Sequence, residues 1–128
     1  MAEKPFKIFI VEDDKIFAKI LSHHLSLNPD FQVEEFHTGK EFLNNLYKKP
    51  DMISLDYNLP GLSGMEIVEK VKAYDSKLPI VIVSGQQDIS TAVELFKKGV
   101  YDYIVKDDDS KERLWNISAK IKEKHDLE

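Results

Sequence analysis

The stretch Ile8-Phe9-Ile10-Val11-Glu12-Asp13-Asp14 joins a continuous apolar run directly to three consecutive acids. Three more short apolar runs follow along the chain: Met52-Ile53-Ser54-Leu55, Ile80-Val81-Ile82-Val83 and Tyr103-Ile104-Val105. Continuous runs of this length are expected of strands buried on both faces, as in a parallel sheet. Gln32-Val33-Glu34-Glu35-Phe36 alternates instead and is expected nearer an edge.

Helical periods lie between the runs. Ile16, Phe17, Ile20, Leu21 and Leu25 share one face at spacings of three and four, and Phe42, Leu43, Leu46 and Tyr47 do the same. Met65, Ile67, Val68, Val71 and Lys72 mark a third helix, Ala92, Val93 and Phe96 a fourth, and Leu114, Ile117 and Ile121 a fifth. Asn28-Pro29-Asp30 stops the first helix, and Gly99 suits the position just past the fourth. Ser63, Ser90 and Ser110 stand near helix starts. The order βαβαβαβαβα implies an α/β fold, with helices on both faces of a five-stranded parallel sheet. In such sheets ligands sit outside the carboxyl ends of the strands.

Composition narrows the function. One domain is expected over residues 1–128, with 42% apolar and 32% charged residues. The absence of cysteine excludes disulfides and Cys-ligated metal. A net charge of −5 disfavours direct nucleic-acid binding. No apolar run reaches the roughly 18 residues of a membrane span. The N-terminus has no apolar segment after its charges, so no signal peptide is expected and a cytoplasmic location follows.

The strand ends carry the chemistry. Glu12-Asp13-Asp14 follows the first strand, Asp56 the third, Ser84 the fourth and Lys106 the fifth. Crowded carboxylates repel and retain protons unless a cation joins them. Oxygen-only ligands favour Mg²⁺, Ca²⁺ or Mn²⁺ over zinc. A nucleophilic carboxylate, a metal, a hydroxyl and an ammonium form an inventory suited to phosphoryl transfer. Taken singly, each residue is equally well a loop acid or a helix cap, as Asp14 is expected to be; the joint pattern carries the reading.

These segments resemble the receiver domain of bacterial two-component response regulators, the single-domain chemotaxis regulator included, over essentially the whole chain. Val11-Glu12-Asp13-Asp14 is similar to the family's acidic pair. Leu55-Asp56-Tyr57-Asn58-Leu59-Pro60-Gly61-Leu62-Ser63-Gly64 is similar to the phospho-acceptor motif, with Pro four and Gly eight residues after the Asp. Ile82-Val83-Ser84-Gly85 and Tyr103-Ile104-Val105-Lys106 are similar to the remaining two motifs.

The resemblance implies a flavodoxin-like (βα)5 sandwich with strand order 2-1-3-4-5. It implies Asp56 as the phosphorylated nucleophile, with Lys106 and Ser84 on the phosphoryl oxygens. Mg²⁺ would be held by Asp13, Asp56, the backbone carbonyl of Asn58 and, through water, Glu12. Ser84 and Tyr103 would form the switch, Tyr103 turning in from solvent. The partners implied are a sensor histidine kinase or a histidine phosphotransfer protein. An output domain or homodimer contact would use the face of helix four, strand five and helix five. The chain would be a phospho-acceptor that assists its own phosphoryl transfer and dephosphorylation, not an enzyme. It would stand alone or form the N-terminal receiver of a larger transcriptional regulator.

One departure stands out. Family members usually carry Pro after the Lys, with a cis peptide; here Asp107-Asp108-Asp109 follows Lys106. A cis bond without Pro costs about 3 kcal/mol, so the loop is either trans and differently shaped, or strained. The acidic run reads as solvated loop and helix cap, though it also bears on Lys106's effective charge.

Rival readings fit less well. A haloacid-dehalogenase-like phosphatase wants a second Asp where Asn58 stands. A flavodoxin-like cofactor site would be repelled by Glu12-Asp13-Asp14. A P-loop hydrolase lacks its Gly-Lys-Ser/Thr. A degenerate receiver that binds partners without phosphorylation is the better rival. His23 and His24 are adjacent and so lie about 100° apart on a helix without forming a pair, His37 and His125 stand alone, all four read as structural or surface residues, and Trp115 reads as packing of the fifth helix.

Overall fold

The computed structural model describes residues 4–86 and 88–128. The elements are β1 (Phe6–Val11), α1 (Lys15–Ser26), β2 (Phe31–Phe36), α2 (Gly39–Leu43), a 3₁₀ turn (Leu46–Lys48), β3 (Met52–Asp56), α3 (Gly64–Tyr74), β4 (Ile80–Ser84), α4 (Ile89–Lys97), β5 (Asp102–Val105) and α5 (Ser110–Leu127). All strand pairings are parallel, in the order β2-β1-β3-β4-β5. The alternating strand is at an edge and the continuous apolar runs β1, β3 and β4 are central, because only the central strands are covered on both faces.

Side chains alternate between two cores, as the pleat requires. Phe9, Val11, Ile53, Leu55, Ile80 and Ile82 face α2, α3 and Leu95 of α4. Ile8, Ile10, Met52, Val81, Val83 and Ile104 face Ala18, Leu21 and Leu25 of α1 and Leu114 and Ile121 of α5. The register pairs Val11 with Leu55, Asp56 with Val83 and Ser84 with Val105. Strands that start together therefore finish together, and their next residues meet at one edge.

The helix faces differ from the spacing argument in three places. On α1 the buried stripe is Ala18, Leu21 and Leu25, while Ile16 is 75% exposed and Ile20 is also exposed. Counting only large apolar side chains overlooks Ala18, whose small size lets the helix approach the sheet. The second helix does not continue through Leu46 and Tyr47. It stops at Leu43, the chain turns through Lys49 at φ 57°, and Tyr47 faces solvent. On α4 only Leu95 is buried, and Ile89, Val93 and Phe96 are exposed.

Helix ends follow local chemistry. Asp14, Thr38, Ser63 and Asp88 each accept backbone N–H groups at a helix start. Ser90 sits inside α4, with Asp88 as its cap. Gly99 adopts φ 98° past α4, where Val100 N–H reaches the Leu95 carbonyl. Trp115 packs between His24 and Phe31. No helix among the described residues is long and apolar enough to cross a membrane.

The burial pattern of α4 predicts that Leu95→Ala, at 0% exposure, destabilises the domain by about 2–4 kcal/mol in urea unfolding. Val93→Ala on the same helix changes stability by under about 1 kcal/mol. Comparable losses for the two variants would contradict this packing.

Candidate functional site

The acids meet at the carboxyl edge of β1 and β3. Glu12 and Asp56 are buried, at 2% and 4% exposure, and Asp13 is exposed. One carboxylate oxygen from each of Glu12, Asp13 and Asp56 lies within 4.8 Å of the others. Three hard oxygen donors at this spacing fit a divalent cation of the Mg²⁺ type, with one donor left toward solvent.

Lys106 reaches into the cluster from the end of β5. Its Nζ lies 2.6 Å from Glu12 Oε1 and 3.5 Å from Asp56 Oδ2. It also lies 4.8 Å from the centre of the Phe17 ring, a cation–π contact. One ammonium does not balance three carboxylates. Burial, with Asp56 adding to it, pushes the Glu12 carboxyl up to about 7 despite the opposing hydrogen bond from Lys106. Burial alone would lower Lys106, but Glu12 and then Asp56 outweigh it and hold the ammonium above its ordinary range.

The Asp56 carboxylate is oriented on both oxygens. Asn58 N–H donates to Oδ1 at 3.1 Å, while Oδ2 faces Lys106. Tyr57 N–H continues the sheet to the Val83 carbonyl. Gly64 keeps this turn close to α3: a Cβ there would stand 2.8 Å from the Tyr57 carbonyl oxygen.

Ser84, at the end of β4, is buried beside this turn. Its Oγ accepts N–H groups from Gln86 at 3.2 Å and from the Asn58 side chain at 3.4 Å. With both lone pairs engaged, its own hydrogen is free to point at another acceptor. The Tyr103 hydroxyl donates to the Gln86 carbonyl at 2.7 Å. This corrects the expectation that Tyr103 starts in solvent: it is half-buried against the β3–α3 core and already fastened to the β4–α4 loop.

The structure thus brings Glu12, Asp13, Asp56 and Lys106 into one crevice, with Ser84 and Asn58 at its wall and Tyr103 one hydrogen bond beyond. Asp14 is set apart as the cap of α1, donating its N–H to Glu12 Oε2. Among the described residues every peptide is trans, including Lys106–Asp107, which decides the shape left open by the missing proline. Asp107 turns away from Lys106 and pairs with Arg113 at 3.0 Å. Phe17 was not legible as a site residue, since it reads as helix packing; Gln86, which flanks the site in sequence, acts through its backbone N–H and carbonyl. A large surface cavity of about 630 Å³ lies at the opposite edge of the sheet, between Lys72, Pro79, Tyr101 and Lys124. It shares no residue with the acidic crevice.

A parallel sheet with carboxylates, a hydroxyl and an ammonium converging on its carboxyl edge defines the receiver class. The model of the response regulator receiver domain matches residues 8–117, and the chain belongs to that family. It is 30% identical over 123 residues to the response regulator protein TodT of Pseudomonas putida, covering 95% of this chain and 54% of TodT. It is 32% identical over 100 residues to the C4-dicarboxylate transport transcriptional regulatory protein DctD of Rhizobium meliloti, covering 77% of this chain and 22% of DctD. The chain therefore spans about half or less of these relatives. Among solved structures, the beryllofluoride-activated receiver domain of DrrB from Thermotoga maritima superposes with a TM-score of 0.85 at 28% identity. That match covers 94% of this chain and 99% of the DrrB domain.

The Glu12 shift has a testable consequence. A carboxyl raised from 4.5 to about 7 on folding stabilises the fold fully below the lower value. That contribution is lost as pH rises through the upper one. Metal-free protein is expected to lose on the order of 1–3 kcal/mol between pH 5 and pH 8 through this group. Glu12→Gln flattens that part of the curve in urea unfolding with a chelator present. An unchanged slope in the variant would refute the assignment.

Proposed function

We propose that the domain accepts a phosphoryl group on Asp56 from a phosphohistidine donor, held by a sensor histidine kinase or a histidine phosphotransfer protein. The observation that carries this reading is the posture of Asp56: buried at a strand end, one oxygen on Asn58 N–H and the other toward Lys106. An ionised Asp56 oxygen forms the new P–O bond as the donor's P–N bond breaks, and the leaving imidazole nitrogen takes up a proton. Lys106 exchanges its contact with Asp56 for a phosphoryl oxygen, where its charge opposes the negative charge gathered there. Ser84 gives its free O–H to a second oxygen.

Glu12, Asp13, Asp56 and the Asn58 carbonyl would hold Mg²⁺, which would supply charge neutralisation for the phosphoryl oxygens. The chain acts as a phospho-acceptor that assists its own phosphorylation and dephosphorylation.

The signal leaves through the β4–α4 loop. Ser84 Oγ holds Gln86 N–H and Tyr103 holds Gln86 C=O, so a shift of Ser84 toward phosphate pulls on both. The exposed apolar residues Ile89, Val93, Phe96 and Tyr101 lie on α4 and at the start of β5. They support an output or homodimer contact on the α4–β5–α5 face. The Tyr103–Gln86 bond, which fastens Tyr103 to the β4–α4 loop, favours a second reading: a surface set for phosphorylation-independent binding.

With acetyl phosphate and Mg²⁺, intact-protein mass spectrometry is expected to show one added phosphate. Chelation prevents it, and Asp56→Asn abolishes it. An adduct that survives Asp56→Asn, or no adduct at all in the wild type, would sink the proposal and leave the phosphorylation-independent reading.

A further inference from the structure

Lys106 carries the one ammonium of the crevice, so whatever holds its backbone sets where that charge lies. On its strand side Lys106 N–H donates to the Ser84 carbonyl at 2.7 Å. On its loop side the work falls to Ser110, the first residue of α5, whose side chain is 2% exposed. Ser110 Oγ accepts the Asp107 N–H at 2.8 Å and donates to the Val105 carbonyl at 3.4 Å. Ser110 N–H returns to the Asp107 carbonyl at 3.2 Å. One hydroxyl thus grips the residue before Lys106 and the residue after it.

The Asp107 carboxylate secures the far side: it accepts Asp109 N–H at 2.8 Å and pairs with Arg113, one turn into α5. Asp109 occupies the cap position of α5 but makes no side-chain cap bond. Asp107 and Ser110 thus form a reciprocal cap on the turn that opens α5. The same buried hydroxyl reaches back across the β5–α5 loop, accepting the Asp107 amide and donating to the Val105 carbonyl at the strand end.

We infer that Ser110 is a positioning residue for Lys106, clamping Val105 and Asp107 so that the ammonium is held over Glu12 and Asp56, with Arg113 as a second, weaker limb acting through Asp107. The inference rests on the phosphoryl-acceptor reading for its consequence, but the clamp itself is geometric. A misplacement of about 1 Å at a reacting group costs up to about a hundredfold in rate, and a single lost hydrogen bond that loosens a loop is a smaller disturbance of the same kind.

The test is a double-mutant cycle on the phosphorylation rate at saturating acetyl phosphate and Mg²⁺. Ser110→Ala is expected to slow phosphorylation about tenfold, Arg113→Ala about threefold, and Ser110→Thr, which keeps the hydroxyl, less than threefold. In a Lys106→Met background Ser110→Ala changes the rate less than about twofold, because the group it positions is gone. Equal losses in both backgrounds mean a general structural role and overturn the inference, as does an unaffected rate in Ser110→Ala.

Amide hydrogen exchange gives a readout that needs no phosphate. The Asp107 N–H is protected in the wild type and exchanges at least about tenfold faster in Ser110→Ala. A wild-type Asp107 amide that exchanges at the rate of an open loop overturns the clamp. A wild-type protein that takes no phosphate but protects this amide removes the proposed function and leaves the clamp standing.

Discussion

A parallel sheet must bring all its strands out at the same edge, and everything chemical in this domain depends on that. Val11, Asp56, Ser84 and Val105 end neighbouring strands in register. The residues at that edge are acids after β1, the terminal acid of β3, a hydroxyl ending β4 and a lysine after β5. Backbone pairing, which knows nothing of charge, forces three carboxylates into a space of a few ångströms. Such crowding is unfavourable by itself, and the two cores above and below the sheet hold it in place.

The electrostatic response to that crowding explains the resting arrangement. Lys106 leans toward Glu12, the more deeply buried carboxylate, rather than Asp56. The Glu12 carboxyl, shifted toward neutrality, relieves part of the remaining repulsion. Asp56 has the Asn58 backbone amide, the Lys106 ammonium at 3.5 Å and the Glu12 carboxyl as its partners. These partners fix the orientation of the Asp56 carboxylate at the strand end.

Around the crevice, hydrogen bonds transmit position rather than add stability. Ser84, Gln86 and Tyr103 form one chain toward α4, and Ser110, Asp107 and Arg113 form another toward α5. Both chains begin at residues flanking the site; the first ties the loop before α4 to Tyr103 of β5, and the second ends on α5. The exposed Ile89, Val93 and Phe96 of α4 form an apolar stripe beyond that loop. Of α4 only Leu95 is buried against the sheet, so this helix is held by less apolar packing than α1 or α3.

The strands, their parallel pairing and the residue types at their ends were legible in the sequence, because a strand covered on both faces must be apolar at every position. That periodicity survives without knowledge of the rest of the chain. The helix faces were less so. Ile16 and Ile20 match a helical stripe as well as Ala18 does, and only the closeness of α1 to the sheet decides which turns inward. The break after Leu43, the contact of Phe17 with Lys106 and the inward posture of Tyr103 belong to the same class. Each depends on neighbours far away in sequence. Ser110 is the clearest case: a serine at a helix start reads as a cap, yet here its hydroxyl also reaches the Val105 carbonyl at the end of β5. The sequence by itself determined which chemical groups stand at the strand ends, since order along a parallel sheet follows from local pattern. Only the tertiary structure decided which of those groups touch, because distances between strand ends, and the turn of each helix, are set by packing across the whole domain.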